Sequence, residues 1–240
     1  MTGKRNITLA NQKQLQKAAQ SLTAQCVIMR EIYAQTGAPP LREFSADFAG
    51  LAKIITGQQL STASAAAIWS RVAAAIQPFD AAHVLARDDV EFAALGLSRA
   101  KIRTLKAVAS AIHTDGFDIA GLADEPDAVV IERLTALHGI GPWTADIYLL
   151  FALRRADAFP AGDLALQLAA QRLLRLDVRP TPAALIEIAE RWRPWRGAAA
   201  RLLWAEYGLY RIERKPSVKR GQAATPAPRA RPAAIKKSNK

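Results

Sequence analysis

The chain has 240 residues, half of them hydrophobic, and it carries a formal net charge of +12 at pH 7. This length and hydrophobic fraction suffice for one large folded domain or two small ones, and the charge indicates a polyanionic partner, either nucleic acid or an acidic membrane surface. Because Cys26 is the single cysteine, one chain builds neither a disulfide framework nor a four-cysteine metal or iron–sulfur site.

The sequence pattern contains no segment that would insert into a membrane. No uninterrupted apolar run reaches the roughly 18 residues of a membrane span. Residues 1–20 contain no apolar signal-peptide core. We therefore expect a soluble, cytoplasmic protein without a membrane partner. A monomer is expected as well.

Apolar residues recur mostly at helical spacing, and no segment alternates over several β-branched or aromatic residues. This pattern predicts an all-α fold. Helices are expected near residues 10–36, 45–57, 61–77, 80–86, 88–94, 98–114, 126–137, 142–154, 163–175 and 182–211, the last one interrupted at Arg193-Pro194.

A basic face is predicted on the helix 98–114. Arg99, Arg103 and Lys106 recur there at i, i+4 and i+7, so they share one side of the helix. Two interpretations stay open. The face is either simply solvated, or it lines a DNA cleft in which its cations contact the phosphate backbone.

The segment 137–146 joins two predicted helices through a turn that contains two glycines. Gly139 and Gly141 allow the backbone of this turn to come close to another object, and Pro142 suits the first position of the next helix. Free N–H groups at a helix start, together with the helix dipole, favour an anion, so we interpret the object as a phosphate. His138 is expected to be exposed and to contact phosphate or solvent.

A single carboxylate follows this hairpin after one further helix. Asp163 comes after Phe159-Pro160, where the N-cap of the helix 163–175 belongs. From its position alone, Asp163 is interpreted as a plain helix cap.

The C-terminal segment has a different composition from the rest of the chain. From residue 215 onward the sequence consists largely of Pro, Ala, Lys and Arg, and it has no acidic residue. It is too poor in apolar residues to fold. We predict a folded domain of residues 1–214 and a disordered basic tail of residues 215–240, which is either a solvated terminus or a mobile arm that adds non-specific DNA affinity.

Together these motifs resemble a known family. The segment from Leu134 to Leu174 resembles the helix-hairpin-helix, Gly/Pro-Asp (HhH-GPD) superfamily of DNA glycosylases, in its "LHGIGPWTA" hairpin and its "FPAGDLAL" loop. The stretches 55–62 and 191–196, the latter leading to Trp204, are similar to the 3-methyladenine DNA glycosylase II branch. The resemblance covers roughly residues 44–212.

The resemblance implies a fold and a reaction. The fold would be two helical lobes with the DNA-binding cleft between them, the hairpin and Asp163 on its rim, in a compact form without the N-terminal β domain of larger relatives. Asp163 would be the catalytic carboxylate, which stabilises the oxocarbenium-like sugar that forms when an N-glycosidic bond breaks. This role is compatible with that of a helix cap. Trp143 stands where glycosylases that also cleave the strand carry a lysine nucleophile, which implies a monofunctional enzyme that uses water and leaves an abasic site.

The resemblance also assigns the surrounding residues. Trp143 and Trp204 would wall the base pocket, together with Ile147 and Leu164 at positions where better-known relatives have tyrosine. A wedge that fills the space of the flipped base would come from Gln58, Gln59 and Leu60, with Gln59 or Leu60 favoured, although this tripeptide alone is typical of a capped helix junction. Contacts to the DNA backbone would come from His138, Gly139, Gly141, Thr144, Arg99 and Arg103.

No cofactor is required by this chemistry. In relatives, carbonyls that match those of Thr135, Leu137 and Ile140 hold a monovalent or similar hard cation, for which oxygen ligands are suitable. A hairpin without an ion is the alternative.

The leading hypothesis is therefore a monofunctional DNA glycosylase in base excision repair. Its partner would be double-stranded DNA that contains damaged bases, and its substrates alkylated purines such as 3-methyladenine and 7-methylguanine. Two alternatives stay open: a non-catalytic helix-hairpin-helix DNA-binding module in which Asp163 only caps a helix, and a glycosylase of different lesion specificity.

Overall fold

The computed structural model describes residues 7–213, and this part of the chain is all-helical, as predicted. The α-helices are α1 (Gln12–Gln25), α2 (Val27–Thr36), α3 (Phe48–Gly57), α4 (Thr62–Ala75), α5 (Ala81–Leu85), α6 (Asp89–Ala94), α7 (Arg99–His113), α8 (Asp127–Thr135), α9 (Pro142–Ile147), α10 (Leu164–Leu173), α11 (Pro182–Ala189) and α12 (Arg196–Glu213). Short 3-10 turns occupy Gly121–Ala123 and Glu190–Trp192, and a π-helix occupies Tyr148–Ala152. The predicted basic tail, residues 215–240, lies outside the described residues.

The predicted helix 10–36 is two helices. The backbone of Cys26 is extended, with φ −138° and ψ 118°, so α1 ends there and α2 begins one residue later. Both helices bury their apolar side, with Leu22 and Met29 seven residues apart on either side of the break. Because seven residues also fit two helical turns, the apolar period continues through the break and does not reveal it.

The helices pack in two groups. In the first group α1 packs against α2, and α12 packs against α1, α2 and α10. In the second group α3 packs against α4, α7 and α9, α7 also packs against α5 and α6, and α8 packs against α9. Among residues 7–213, no helix is both long and apolar enough to span a membrane.

The predicted helix 142–154 changes its winding in the middle. α9 covers its first six residues and the π-helix the next five, which are 0–7% exposed. The π-helix packs against α3 of the second group, and its Phe151 contacts Trp204 of α12 in the first group. This buried segment therefore joins the two helical groups.

The predicted interruption of the last helix is confirmed. α11 ends at Ala189, a 3-10 turn follows, and α12 begins at Arg196, immediately after Pro194-Trp195. Gly197 lets the start of α12 lie directly on the chain after the π-helix, because a Cβ at this position would stand 2.8 Å from the carbonyl oxygen of Ala156. This close packing sets where the residues of α12 lie relative to the π-helix.

Candidate active site

Asp163 caps the N-terminus of α10. Its Oδ1 accepts hydrogen bonds from the backbone N–H groups of Ala165 at 3.0 Å and Leu166 at 3.2 Å. The backbone N–H of Asp163 donates to the carbonyl of Pro160 at 2.9 Å, which closes the loop before the helix. The predicted N-cap geometry is thus present.

Two tryptophans converge on this carboxylate. The indole N–H of Trp143 donates to Oδ2 of Asp163 at 3.0 Å, and the indole N–H of Trp204 donates to Oδ1 at 3.0 Å. Trp143 comes from the first turn of α9 and Trp204 from α12. Each carboxylate oxygen is therefore oriented by an indole, and the donors are uncharged, so no cationic side chain is consumed in holding Asp163.

Phe151 supports Trp204 and was missed by the sequence reasoning. Its ring stacks on Trp204 with centroids 5.8 Å apart and planes inclined by 20°. One face of the Trp204 ring is therefore covered by Phe151. Phe151 lies within the helix predicted for residues 142–154, and no local signal in the sequence indicates the π-helix that brings it to Trp204.

The other two residues predicted for the base pocket differ in exposure. Leu164 directly follows Asp163 as the first residue of α10 and is 53% exposed. Ile147 lies one helical turn after Trp143 and is only 6% exposed. The structure thus brings Asp163, Trp143 and Trp204 into direct contact, whereas Leu164 stands at the surface beside them.

The two glycines of the hairpin differ in their surroundings. Gly139 has φ +77°, and a Cβ on it would stand 1.9 Å from the hydroxyl oxygen of Thr104 on α7. The hairpin therefore packs closely against α7 at Gly139, which is itself exposed, and contact of its backbone with a phosphate stays a prediction. A Cβ on Gly141 would meet no atom within 4 Å, and His138 in the same turn is exposed as expected.

Thr144 points inward, which removes it from the expected contacts to DNA. Its side chain is 2% exposed, its hydroxyl accepts a hydrogen bond from the Gln58 amide at 3.0 Å, and its N–H donates to the carbonyl of Gly141 at 3.0 Å. Gln58 reaches the carbonyl of Gly139 as well, at 3.4 Å. The Gln58 side chain therefore ties its own loop to the hairpin.

Gln58 is one of the three residues predicted to form the wedge, and its side chain is held by these hydrogen bonds. Gln59 and Leu60 are both exposed, Leu60 to 39%. Gln59 has φ +57°, a left-handed conformation that a non-glycine residue adopts only at some cost in energy. The loop between α3 and α4 thus projects these two side chains while Gln58 anchors it.

Helix α7 braces both loops. Thr104 contacts Gly139 of the hairpin, and the ammonium of Lys101 donates to the carbonyl of Thr56 at the end of α3, at 2.8 Å. Burial lowers the pKa of Lys101. Arg99 and Arg103, exposed on this helix, line a surface hollow beside α6, and Lys106 forms an ion pair with Asp89 of α6.

The carbonyl set proposed for a cation consists of neutral oxygens at the end of α8 and in the turn. The carbonyl of Leu137 accepts the N–H of Ile140 at 3.1 Å, which leaves one lone pair on that oxygen. The donor set of Thr135, Leu137 and Ile140 is thus compatible with a monovalent cation. Within residues 7–213, no cluster of three or more His, Cys, Asp or Glu side chains is arranged to hold a metal ion.

Asp146 is a second titratable group that the sequence did not single out. It lies one turn after Trp143 in α9, and burial raises its pKa from 3.8 to about 7. The positive charge of Arg196 opposes this shift, and the negative charge of Asp127 adds to it. Asp146 therefore makes the free energy of unfolding depend on pH.

We expect Asp146→Asn to stabilise the protein more at pH 8 than at pH 5. The folded pKa lies above the unfolded one, so the folded state keeps this proton while the unfolded chain releases it, and stability falls as pH rises from the unfolded to the folded value. One pKa unit corresponds to about 1.4 kcal/mol, which sets an upper bound of about 4 kcal/mol on the loss above pH 7.

Urea unfolding of wild type and Asp146→Asn at both pH values measures this effect. Asp177→Asn, at an exposed aspartate, controls for the general change in net charge. A stability difference between wild type and Asp146→Asn that is the same at pH 5 and pH 8 would contradict the prediction.

Comparison with known proteins places the chain. Residues 52–194 match the family described as HhH-GPD superfamily base excision DNA repair protein. This matched range begins in α3 and includes the loop at residues 58–60, the hairpin, Asp163 and the interruption at Arg193-Pro194. Trp204 lies ten residues beyond it.

Individual relatives agree with the family match. DNA-3-methyladenine glycosylase 1 of Schizosaccharomyces pombe is 34% identical over 164 residues, which cover 64% of this chain and 69% of that protein. The structure of a Schizosaccharomyces pombe 3-methyladenine DNA glycosylase in complex with abasic DNA matches with a TM-score of 0.70 at 29% identity, covering 78% of this chain and 95% of that one. A DNA-3-methyladenine glycosidase structure from Bacillus halodurans matches with a TM-score of 0.68 at 26% identity, covering 88% and 95%.

Proposed function

We propose that this chain, which belongs to the HhH-GPD superfamily of base excision DNA repair proteins, is a monofunctional DNA glycosylase that removes alkylated purines from double-stranded DNA. The observation that carries the proposal is the convergence of two tryptophans on one carboxylate. A module that only binds DNA through a hairpin needs no aromatic pair around Asp163, whereas excision of a base needs both a stacking surface and a negative charge beside the sugar.

The aromatic pair favours a cationic base. An electron-rich indole face attracts a positively charged ring more strongly than a neutral one, and alkylation at N3 of adenine or N7 of guanine gives the purine a positive charge. Such a base is also a good leaving group and needs little acid catalysis. The 3-methyladenine glycosylases among the relatives support 3-methyladenine as one such substrate, and 7-methylguanine is proposed because it carries the same positive charge.

In this mechanism the bond between C1′ and the base nitrogen breaks, and its electron pair leaves with the base, which becomes neutral. The carboxylate of Asp163 stabilises the positive charge that develops on the sugar. The oxygen of a water molecule then bonds to C1′, and the proton that the water loses passes to Asp163 or to solvent. The products are a free base and an abasic site in an unbroken strand.

Strand cleavage through a Schiff base is not expected, because the position of its amine is taken by Trp143. From Arg133 to Arg214 the sequence contains no lysine, so a covalent imine would have no local nucleophile. The turn around Gly141 and His138, together with Arg99 and Arg103, is proposed to contact the DNA backbone. A monovalent cation on the carbonyls of Thr135, Leu137 and Ile140 would strengthen the contact of the hairpin with phosphate, and no chemical step depends on it.

The cleft that receives DNA is proposed to lie between the two helical groups. Asp163 and Trp204 belong to the first group, and Trp143 and the hairpin belong to the second. A nucleotide that reaches the Asp163 carboxylate would therefore contact both groups. The duplex would lie along the hairpin and the loop at residues 58–60, which Gln58 links.

Substitution of the wedge residue should lower the rate of base release more than it lowers the affinity for DNA. Alanine in place of Gln59 or Leu60 removes a side chain that replaces the flipped nucleotide in the stack, and because flipping costs a few kcal/mol, we expect a loss of about tenfold in single-turnover rate for the residue that inserts. Fluorescence of 2-aminopurine placed next to the lesion reports flipping directly. Leu209→Ala, at another exposed leucine, serves as the matched control; a loss below twofold in both loop variants would refute the assignment.

The experiment that tests the function is base-release profiling on defined duplexes. Wild-type protein is incubated with DNA containing 7-methylguanine, 3-methyladenine, hypoxanthine or 8-oxoguanine, and with borohydride in parallel. The proposal expects release of the cationic bases, intact strands after abasic-site formation, and no trapped covalent complex. Release of no base from any duplex would favour the non-catalytic DNA-binding module, release of neutral lesions alone a different lesion specificity, and a trapped complex a strand-cleaving enzyme.

A further inference from the structure

Arg201 is a buried cation whose partners are all uncharged. Its side chain is 4% exposed, and its guanidinium donates to the carbonyls of Gly197 at 2.9 Å and Leu150 at 3.1 Å. Its Nε is buried without a hydrogen-bond partner. Burial, aided by the charge of Arg42, lowers the pKa of Arg201 to about 10, so the side chain is still charged at neutral pH. Burying a charge with neutral partners costs free energy.

The π-helix leaves one buried carbonyl without a helical hydrogen-bond donor. Its wide turn ends with the N–H of Leu153 bonded to the carbonyl of Tyr148, and the carbonyl of Leu150 then has no continuing helix to accept from. Arg201 donates to that carbonyl, and the N–H of Phe44 donates to the carbonyl of Phe151. Arg201 therefore satisfies a buried acceptor that the π-helix leaves open.

A line of contacts leads from Arg201 to the catalytic carboxylate. The guanidinium carbon lies 4.8 Å from the centroid of the Phe151 ring, within the range of a cation–π interaction. Phe151 stacks on Trp204, and Trp204 donates its indole N–H to Asp163. Arg201 thus contacts both the backbone and the ring of the segment that supports Trp204.

We propose that Arg201 is a positioning residue for the base-excision reaction: it holds the π-helix and Phe151 in place, so that Phe151 backs one face of Trp204 and the Trp204 indole N–H reaches Asp163. The proposal rests on the function proposed above. Arg201 does not touch the base or the sugar and acts only through Phe151 and Trp204. A purely structural core residue would stabilise the fold without affecting the hydrogen bond between Trp204 and Asp163 in particular.

A spectroscopic experiment tests the positioning without reference to activity. The chain has five tryptophans, so ¹⁵N labelling of tryptophan yields five indole N–H signals, and the signal of Trp204 is the one lost in Trp204→Phe. In Arg201→Met and in Phe151→Leu we expect hydrogen exchange at the Trp204 indole to be faster by about tenfold or more, because a looser ring opens more often. The indole of Trp192, which is 1% exposed, should be unchanged.

A kinetic experiment tests the consequence for the reaction. In the wild-type background, Arg201→Met is expected to lower the single-turnover rate of base release about tenfold, since a small misplacement of a catalytic group is costly, while the Kd for DNA changes less than threefold. In the Trp204→Phe background the same substitution should lower the rate by a clearly smaller factor, because the hydrogen bond is already gone and only the placement of the ring remains to be disturbed. Arg211→Met, at an exposed arginine of the same helix, is the control.

The two experiments distinguish a failure of the role proposed for Arg201 from a failure of the proposed function. Equal losses of rate in both backgrounds, or unchanged exchange at Trp204 in Arg201→Met and Phe151→Leu, would overturn the role of Arg201. If Arg201→Met does not fold, Arg201→Lys replaces it in both experiments, because lysine keeps the charge and one hydrogen bond but loses the planar contact with Phe151; an intermediate effect supports the proposal and a wild-type result opposes it. If wild type releases no base, the proposed function fails, whereas the exchange data still decide whether Arg201 positions Trp204.

Discussion

Asp163→Asn is expected to bind damaged DNA and to release almost no base. Asparagine is as good an N-cap as aspartate, so α10 should keep its start, but a neutral amide does not stabilise the positive charge that develops on the sugar. Loss of one electrostatic contact to a transition state costs about 100- to 1000-fold in rate. Single-turnover release of 7-methylguanine measures the loss, and fluorescence anisotropy with the same duplex measures a Kd that should stay within threefold of wild type.

The substitution also has a predictable cost in stability. An amide has one acceptor oxygen, whereas Trp143 and Trp204 each donate to a separate oxygen of Asp163. One indole N–H would therefore lose its acceptor, at a cost of about 1 kcal/mol. Asp80→Asn is the matched control, because Asp80 is also an N-cap, of α5, and is exposed away from the two indoles. Base release by Asp163→Asn within a few-fold of wild type would refute the mechanism.

Substitutions of Trp204 should have the second largest effect on the rate of base release. Two of them separate the contribution of the indole hydrogen bond from that of the stacking surface. Trp204→Phe keeps an aromatic face and removes only the indole N–H that orients Asp163, so a loss of about tenfold is expected from one hydrogen bond to a charged group. Trp204→Ala also removes the stacking surface, which contributes about 1–3 kcal/mol per base. The alanine variant should therefore lose about tenfold more.

A comparison between a cationic and a neutral lesion tests whether the face of Trp204 selects its base by charge. If the indole face selects by charge, Trp204→Ala should lower release of 7-methylguanine more than release of hypoxanthine, which is neutral. Competition between the two duplexes gives the ratio directly. Trp69→Phe, in α4, where Trp69 packs edge-on against Phe79, is the control and should leave the ratio unchanged. Equal losses for both lesions would mean that the pocket selects by shape and not by charge.

Much of the fold could be predicted from the sequence because its signals are local. Helical periodicity marked the helical class, Pro142 marked the start of α9, and Arg193-Pro194 marked the interruption before α12. Asp163 was predicted as an N-cap because the signal for a cap lies within a few residues of it. Each of these features depends on neighbours in the chain.

The errors arose where contacts are distant in sequence. The break at Cys26 leaves the apolar period intact, so only the extended backbone shows it. The close packing of Gly139 against Thr104 on α7 was not predicted. Thr144 was expected to face DNA, but its hydroxyl is bonded to Gln58, 86 residues away. Nothing in the local sequence indicates these partners.

The sequence by itself determined the helical class, the hairpin and loop motifs, and the N-cap carboxylate at Asp163, because each follows from residue type and short spacing. Only the tertiary structure decided how that carboxylate is held. Trp204 is 41 residues from Asp163, and it is backed by a phenylalanine that a π-helix turns toward it and that a buried arginine holds. The physical reason is that the site is assembled by side-chain packing between helices α9, α10 and α12 and the π-helix. Packing depends on the relative placement of whole helices, which no single stretch of sequence encodes.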